Sequence, residues 1–350
     1  MNNKELSEKI IEDLYKEPDR KTAEIIEYYL NTGTKELCDK AASVCNDIHG
    51  NTVFLRGLVE FTNYCAMDCL YCGIRHSNGK AVRYRMRESS IVETALAGFE
   101  KGFRTFVFQG GEDPFYTTDM ICRIVSTIKN STGGEAAITL SEGIRSREDY
   151  KAFREAGADR YLIRFETSDP LLHKKIRNGI TLQRRIEAIL DLKSLDFETG
   201  SGYMTGLPGE TEETGIRNAR LCRMLELDMI GIGPFIPHKD TPLGLSDQMP
   251  FELCIRATAL LRLLVPSAHI PATTAAGSID PEGREKMLKA GANVLMINIT
   301  PDDVKKHYLL YPGKVCLEEE GETGLGSLAE RVKSVNRVLS YNIGSALRKT

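Results

Sequence analysis

The sequence lacks an excess of charge of either sign: 46 Lys and Arg residues stand against 49 Asp and Glu residues, a formal net charge of -3. Proteins that bind nucleic acids or membrane surfaces usually carry a basic excess or a basic patch. We therefore expect no nucleic-acid and no membrane partner, and a small-molecule ligand instead. No apolar run reaches membrane-spanning length, and the stretch MNNKELSEKIIEDLYKEPDR lacks the apolar core of a secretory signal. These absences predict a cytoplasmic protein.

The composition also argues against disorder and against a disulfide framework. Hydrophobic residues make up 41% of the chain and charged residues 27%, which is typical of a globular protein with a large core. Nine cysteines occur in a chain without an export signal. Because the cytosol keeps thiols reduced, metal binding is the more specific interpretation of these cysteines.

Eight short β-rich runs alternate with amphipathic helical stretches. The runs begin at Thr52, Arg104, Ala136, Arg160, Glu198, Asp228, His269 and Ala292. Eight strands, each followed by a helix, predict an α/β fold in the form of a closed (β/α)8 TIM-type barrel. We expect an N-terminal helical lead-in at residues 1–50, the barrel at residues 51–315 and a C-terminal helical extension at residues 316–350.

Polar side chains at the strand ends are candidates for the barrel mouth, where the chemistry of such a fold takes place. They are Gln109, Ser141, Arg164, Glu166, Ser201, Thr273 and Thr274. For any single Ser or Thr, the alternative is that the side chain completes a core layer or caps a helix.

Three cysteines, Cys65, Cys69 and Cys72, follow the first predicted strand with C-x3-C-x2-C spacing. Thiolates are preferred ligands of iron–sulfur clusters and of zinc. His76 lies four residues after Cys72 and could complete a closed structural Cys3His zinc site. Three ligands on a four-iron cubane would instead leave one iron open to bind a substrate group, which suits a position at the barrel mouth.

This spacing and position resemble the radical S-adenosylmethionine (SAM) superfamily. The resemblance implies that Cys65, Cys69 and Cys72 hold a [4Fe-4S] cluster, whose open iron chelates SAM. It also implies an enzyme that cleaves SAM reductively to a 5'-deoxyadenosyl radical.

Further residues match positions that contact SAM in this superfamily. Tyr71, inside CLYC, matches a residue that packs near the adenine. Gly110, Gly111 and Glu112 match the "GGE" motif at the methionine ammonium, although a Gly-Gly pair after a strand is more often only a turn. Glu166 and Arg185 match positions that hold the ribose and carboxylate, and Ser141 joins this cofactor-binding group. For Arg185 the alternative is a solvated helix face.

Longer stretches, among them GIGPFIPHKDTPL and IPATTA, resemble the HydE family of [FeFe]-hydrogenase maturases more than biotin synthase or methylornithine synthase. The resemblance covers the chain from about Asn51 to Cys316. It implies radical attack on a sulfur-containing substrate, a cysteine-ligated iron carbonyl cyanide complex, in assembly of the hydrogenase H-cluster. The implied partners are an electron donor such as flavodoxin or ferredoxin and other hydrogenase maturases.

The same resemblance assigns residues to the substrate cavity. Gln109, Thr273, Thr274 and Tyr311 are the implied substrate-binding residues, and Arg164, Met229 and Tyr308 the implied catalytic ones. A guanidinium surrounded by hydroxyl groups would make an anion-binding pocket. For Met229 the alternative is core packing.

The sequence departs from the family at a second cluster site, because no cysteine follows Cys316. We therefore predict one cluster. The departure leaves open a methylornithine-synthase-like or other radical SAM enzyme acting on a small amino-acid or thiol-derived substrate, and a carrier that binds an iron species without turnover. The remaining cysteines are interpreted as small buried hydrophobes: Cys38, Cys45, Cys122, Cys222 and Cys254.

Overall fold

The strands lie where the apolar runs predict them. The computed structural model of the chain describes residues 2–314 and 321–347. Its strands are β1 (Thr52–Thr62), β2 (Thr105–Gly110), β3 (Ala137–Ser141), β4 (Arg160–Leu162), β5 (Glu198–Ser201), β6 (Met204–Thr205), β7 (Met229–Ile230), β8 (Gly233–Pro234), β9 (Val294–Asn298) and β10 (Val338–Ser340). Seven of the eight predicted runs contain a strand, and the run from His269 contains two bridging residues.

The strands form a closed ring of parallel neighbours. β1 pairs with β2, and the ladder continues through β3, β4 and β5 to β7. Met229 of β7 bridges to His269, and Pro271 bridges onward to Val294 of β9, which pairs with β1. The segment 269–271 therefore completes the ring between β7 and β9. The predicted (β/α)8 TIM-type barrel is confirmed.

Helices surround the ring. They are α1 (Asn3–Leu14), α2 (Arg20–Asn31), α3 (Thr34–His49), α4 (Glu88–Glu100), α5 (Thr118–Ser131), α6 (Arg147–Glu155), α7 (Pro170–Ile176), α8 (Leu182–Ser194), α9 (Glu212–Met224), α10 (Glu252–Leu264), α11 (Thr274–Ile279), α12 (Gly283–Lys289), α13 (Asp302–Lys305) and α14 (Gly321–Lys333). In α5 the buried residues Ile121, Ile124, Val125 and Ile128 recur at the spacing of one helical face. None of the helices in the described residues has the length and apolar character that crossing a bilayer requires.

Helices alone precede β1 in the described residues. α1 begins with a capping box, in which the side chains of Asn2 and Glu5 each accept a hydrogen bond from the other's backbone N–H. α1 packs on α8 and α9, while α3 packs on α10 and α12. These helices therefore add a further layer on α8, α9, α10 and α12 at one side of the barrel.

The C-terminal part contains a strand, β10, as well as the helix α14, whereas the sequence predicted helices alone. β10 pairs with the start of β1, where Thr52 lies opposite Val338. Phe54 pairs with both Ser340 of β10 and Val294 of β9, so β10 occupies the same edge of β1 as β2. β2 begins its pairing later along β1, and this leaves an open edge that a short strand can fill.

Candidate active site

A cavity of about 320 Å³ opens at the carboxyl ends of the barrel strands. The residues that the resemblance assigns to the cluster, SAM or the substrate all line it except Met229: Cys65, Cys69, Tyr71, Cys72, Gln109, Gly110, Gly111, Glu112, Ser141, Arg164, Glu166, Arg185, Thr273, Thr274, Tyr308 and Tyr311. Met229 is buried outside the lining, and its Sδ accepts a hydrogen bond from Arg56 Nη1 at 3.2 Å. Ser201 also lies outside, since its hydroxyl donates to the Ile163 carbonyl at 2.7 Å.

Strand register assembles part of this lining. Glu60, Gln109 and Ser141 lie opposite one another on β1, β2 and β3. Arg164 and Glu166 follow β4 at the same end of the barrel. The polar lining therefore follows from parallel strands that end together.

The cysteine loop (residues 63–87) follows β1 and brings its three thiols to the cavity. Cys69 is buried, and Cys65 and Cys72 are half-buried. The Cys65 sulfur accepts hydrogen bonds from the backbone N–H groups of Met67 at 3.4 Å and Glu112 at 3.3 Å. Hydrogen bonds of this kind favour the thiolate, the form that binds metals.

Burial raises the pKa of all three thiols. The pKa of Cys72 is raised further by the neighbouring Cys69 and Cys65, because like charges would repel. A bound metal group supplies the positive charge that lets adjacent thiols ionise together. Three thiols on one loop that line one cavity therefore fit a thiolate-ligated cluster.

The zinc alternative fits the geometry less well. The His76 side chain is exposed and does not line the cavity with the cysteines. Within residues 2–314 and 321–347, no three His, Cys, Asp or Glu side chains are set around a single-ion site. In a four-iron cubane each thiolate binds a different iron, so its ligands stand further apart than those of one tetrahedral zinc.

The loop after β2 packs directly on the cysteine loop. Glu112 accepts a backbone hydrogen bond from Ala66 at 2.8 Å. A Cβ atom on Gly111 would lie 2.0 Å from the Tyr64 carbonyl oxygen and 2.7 Å from the Cβ of Cys65. Gly110 and Gly111 both have negative φ, so this close approach, and not a left-handed turn, accounts for the glycine at position 111.

A group of buried charges connects these two loops. Arg177 Nη1 donates to the Tyr71 hydroxyl at 3.1 Å, and Nη2 donates to Glu112 Oε1 at 3.2 Å. Arg185 lies 3.7 Å from the same oxygen. Burial raises the pKa of the Glu112 carboxyl, and the charge of Arg177 opposes that rise.

Sequence reasoning missed Arg177. It follows α7 directly, and its neighbours Lys174 and Lys175 are exposed, as a solvated helix end would be. The Arg177 side chain instead turns inward and is 8% exposed. Arg177 differs from Lys174 and Lys175 in being buried, and this depends on how α7 packs against α8, which the sequence pattern does not show.

Several buried donors in this group have no partner within the described protein. They are the Nε atoms of Arg164, Arg177 and Arg185. Buried polar groups nearly always find a hydrogen-bond partner, so these donors indicate space for a polar ligand. The carboxylate and hydroxyl groups of SAM match them in charge and polarity.

Glu166 adopts a strained backbone conformation at the cavity, with φ of 67°. Its N–H donates to Gly202 at 3.0 Å, and its carbonyl accepts from Met204 at 3.1 Å. Its carboxylate lies 3.0 Å from Arg164 Nη2. Strain of this kind in a non-glycine residue is typical of functional sites, where the surrounding structure compensates for it.

The closing segment (residues 307–314) completes the cavity wall. Gln109 Nε2 donates to the Tyr308 hydroxyl at 3.2 Å, and the hydroxyls of Thr274 and Tyr311 share a hydrogen bond of 3.0 Å. The segment also contacts the cysteine loop, because Gly73 donates to the Leu310 carbonyl at 2.9 Å.

A buried ion pair in the wall was also missed from the sequence. Lys314 Nζ pairs with Glu60 Oε1, and Asn298 Nδ2 donates to the other carboxylate oxygen at 2.8 Å. Glu60 and Lys314 both line the cavity. The available signal was a glutamate inside the apolar run LVEF near the end of β1, since strands of parallel barrels are buried on both faces.

Comparisons with known proteins cover most of the chain. A model of the radical SAM superfamily matches residues 59–222, and a model of the Biotin and Thiamin Synthesis associated domain matches residues 232–318. The [FeFe] hydrogenase maturase subunit HydE of Thermotoga maritima is 44% identical over 288 residues, covering 82% of each chain. A 3-methylornithine synthase of Methanosarcina acetivorans is 32% identical over 270 residues, covering 76% of this chain and 74% of that one.

Solved structures match the fold. A crystal structure of methylornithine synthase has a TM-score of 0.77 at 24% identity and covers 96% of this chain and 97% of that one. A structure of HydG, a maturase of the [FeFe]-hydrogenase, has a TM-score of 0.75 at 17% identity, covering 97% and 80%. At these identities the likeness supports the fold alone.

Proposed function

This chain belongs to the radical SAM superfamily, and on that premise we propose that it is a HydE-like enzyme of [FeFe]-hydrogenase cofactor assembly that acts on a sulfur-containing substrate. The observation that carries the proposal is the 44% identity to HydE over 82% of the chain. The cavity supports it, because the cysteine loop and the implied substrate residues line one space.

The superfamily implies a [4Fe-4S] cluster and SAM, which when bound supply a 5'-deoxyadenosyl radical by one-electron cleavage of the sulfonium. Cys65, Cys69 and Cys72 would hold the cluster, in keeping with the cavity that they share. We propose one cluster, since no cysteine follows Cys316. Cys316 itself lies outside the described residues.

The buried charges would hold SAM. Glu112, with the backbone of Gly110 and Gly111, would take the methionine ammonium, while Arg185 would take the carboxylate. Glu166 would bind the ribose, and Tyr71, fixed by Arg177, would pack near the adenine. Ser141 completes this side of the lining. The barrel wall around these side chains would limit the access of water to bound SAM.

The other side of the cavity would bind the substrate. Arg164 supplies a cation at the end of β4, and Gln109 and Tyr308 form a hydrogen-bonded pair. Thr273 lines the same wall, and the Thr274–Tyr311 pair lies beside it. Hydroxyl donors around a guanidinium suit cyanide and carboxylate groups. Met229, which the resemblance implies to be catalytic, is buried outside the lining and bonded to Arg56, so its position favours the core-packing alternative.

The test is anaerobic reconstitution with iron and sulfide, then reduction and chromatography for 5'-deoxyadenosine or an adenosylated product. Assays run with and without a cysteine-bound iron carbonyl cyanide complex, with flavodoxin or ferredoxin as electron donor. We expect the complex to stimulate SAM cleavage and to be converted. Cleavage that ignores the complex but converts lysine would favour the methylornithine-synthase-like alternative, which the 32% identity supports. No cleavage in a loaded protein would favour a carrier.

A further inference from the structure

One corner of the cavity is polar but has no part in the contacts assigned to SAM. It is built from Glu60, Asn298, Tyr308 and Lys314. Glu60 is 0% exposed and Lys314 is 7% exposed. Burying an ion pair costs desolvation free energy, and apolar replacements are often equally stable. Stability alone therefore does not account for this pair in the wall of a cavity.

The Lys314 ammonium has more N–H groups than it has acceptors among the described residues. Its Nζ pairs with Glu60, lies 3.4 Å from the Tyr308 carbonyl oxygen and stands 4.9 Å from the centre of the Tyr308 ring. An ammonium carries three N–H groups. Two of them can reach these acceptors, and within residues 2–314 and 321–347 the third has no partner and remains for a ligand.

The Tyr308 hydroxyl adds a second donor beside the lysine. It accepts a hydrogen bond from Gln109 at 3.2 Å, so its own proton is available to donate. Both Glu60 oxygens are occupied, by Lys314 and by Asn298. The carboxylate therefore holds the ammonium in position, and neither of its oxygens is left to compete for the ligand.

We propose that Lys314 is a substrate-binding residue, positioned by Glu60, that takes the carboxylate of an amino-acid-bearing substrate together with the Tyr308 hydroxyl. A carboxylate has two oxygens for the two donors, and a charge-assisted bond to the ammonium is the stronger of the pair. The inference rests on the proposed function, because it assigns a substrate class to the same cavity.

The test compares two thioether probes that differ only in the carboxylate: S-methyl-L-cysteine and 2-(methylthio)ethylamine. Binding to the cluster-loaded protein with SAM is measured by anaerobic titration calorimetry. We expect the unaltered protein to bind S-methyl-L-cysteine at least about tenfold more tightly. Lys314→Met should abolish this preference, and Lys314→Arg should retain part of it.

Removing the lysine alone leaves Glu60 buried without its partner, so folding needs a control. The double variant Glu60→Gln/Lys314→Met removes both charges of this pair and should also show no preference. Lys129→Met is the control for loss of a lysine, since Lys129 is half-buried, pairs with Asp159 at 3.0 Å and does not line the cavity. It should keep the preference.

Equal binding of the two probes by the unaltered protein would overturn the carboxylate assignment. If both Lys314→Met and the double variant still prefer S-methyl-L-cysteine, Lys314 does not bind the substrate carboxylate. Neither readout needs SAM cleavage, so failure of the proposed function would be seen separately, in the product assay.

Discussion

At the scale of single residues, Arg177 connects the two halves of the cofactor side. One nitrogen reaches the Tyr71 hydroxyl on the cysteine loop and another reaches Glu112 on the loop after β2. A planar guanidinium can serve two acceptors at a fixed angle, whereas an ammonium acts as a point charge. The Arg177 side chain therefore fixes the distance between the two loops and supplies a positive charge between them.

Replacing Arg177 by lysine should weaken SAM binding by about tenfold, the loss expected for one charge-assisted hydrogen bond. Cluster content should remain, because no thiol is changed. SAM affinity by anaerobic equilibrium dialysis and iron content by colorimetry check this. Arg184→Lys, on a half-exposed side chain of α8, is the control. Unchanged SAM affinity in Arg177→Lys would contradict the assignment.

Cys69→Ala should abolish cluster binding and SAM cleavage while the barrel still folds, because the alanine removes a ligand and leaves the apolar packing almost intact. Iron and sulfide content, product chromatography and circular dichroism measure these three properties. Cys122→Ala, at a half-buried cysteine outside the cavity, should keep both cluster and activity. SAM cleavage retained by Cys69→Ala would rule out the cluster assignment.

At the scale of elements, apolar runs predicted the barrel because parallel strands are buried on both faces. The strand ends predicted most of the cavity because parallel strands end together at one face of the barrel. Arg177 and Lys314 were not predicted. The position of Arg177 depends on the packing of the short helix α7, and that of Lys314 depends on the path of the closing segment after β9. The β10 strand was not predicted either. Its partner edge on β1 is open because β2 pairs only with the later part of β1, and the sequence does not show this.

The contact between the cysteine loop and the closing segment depends on Gly73. A Cβ there would lie 2.1 Å from the Leu309 carbonyl oxygen, whereas a Cβ on Gly79 meets nothing within 4 Å. We expect Gly73→Ala to displace the closing segment and to lower the free energy of unfolding by roughly 2 kcal/mol or more. Gly79→Ala should change it by less than about 0.5 kcal/mol. Urea unfolding measures both, and equal stabilities would contradict the contact.

At the scale of the whole molecule, stability should depend on pH through Glu210. Its oxygens accept hydrogen bonds from the Gly206 N–H and Asn218 Nδ2, both at 2.7 Å. Burial raises the pKa of this carboxyl to about 7, against an ordinary value of 4.5. A raised carboxyl pKa means that the folded state prefers the neutral form. The resulting stabilisation is complete below pH 4.5 and is lost as pH rises through about 7.

Relative to Glu210→Gln, the unaltered protein should therefore lose up to about 3 kcal/mol of unfolding free energy between pH 4.5 and pH 8. Urea unfolding of both proteins across this range measures the difference. Glu213→Gln, at a side chain 79% exposed, is the control and should show a flat difference. A flat difference for Glu210→Gln as well would contradict the direction of the shift.

β1 has three neighbours: β2, β9 and β10. It also leads directly into the cysteine loop. The cysteine loop therefore begins at a strand that is hydrogen-bonded along both of its edges, which fixes the start of the loop relative to the rest of the barrel.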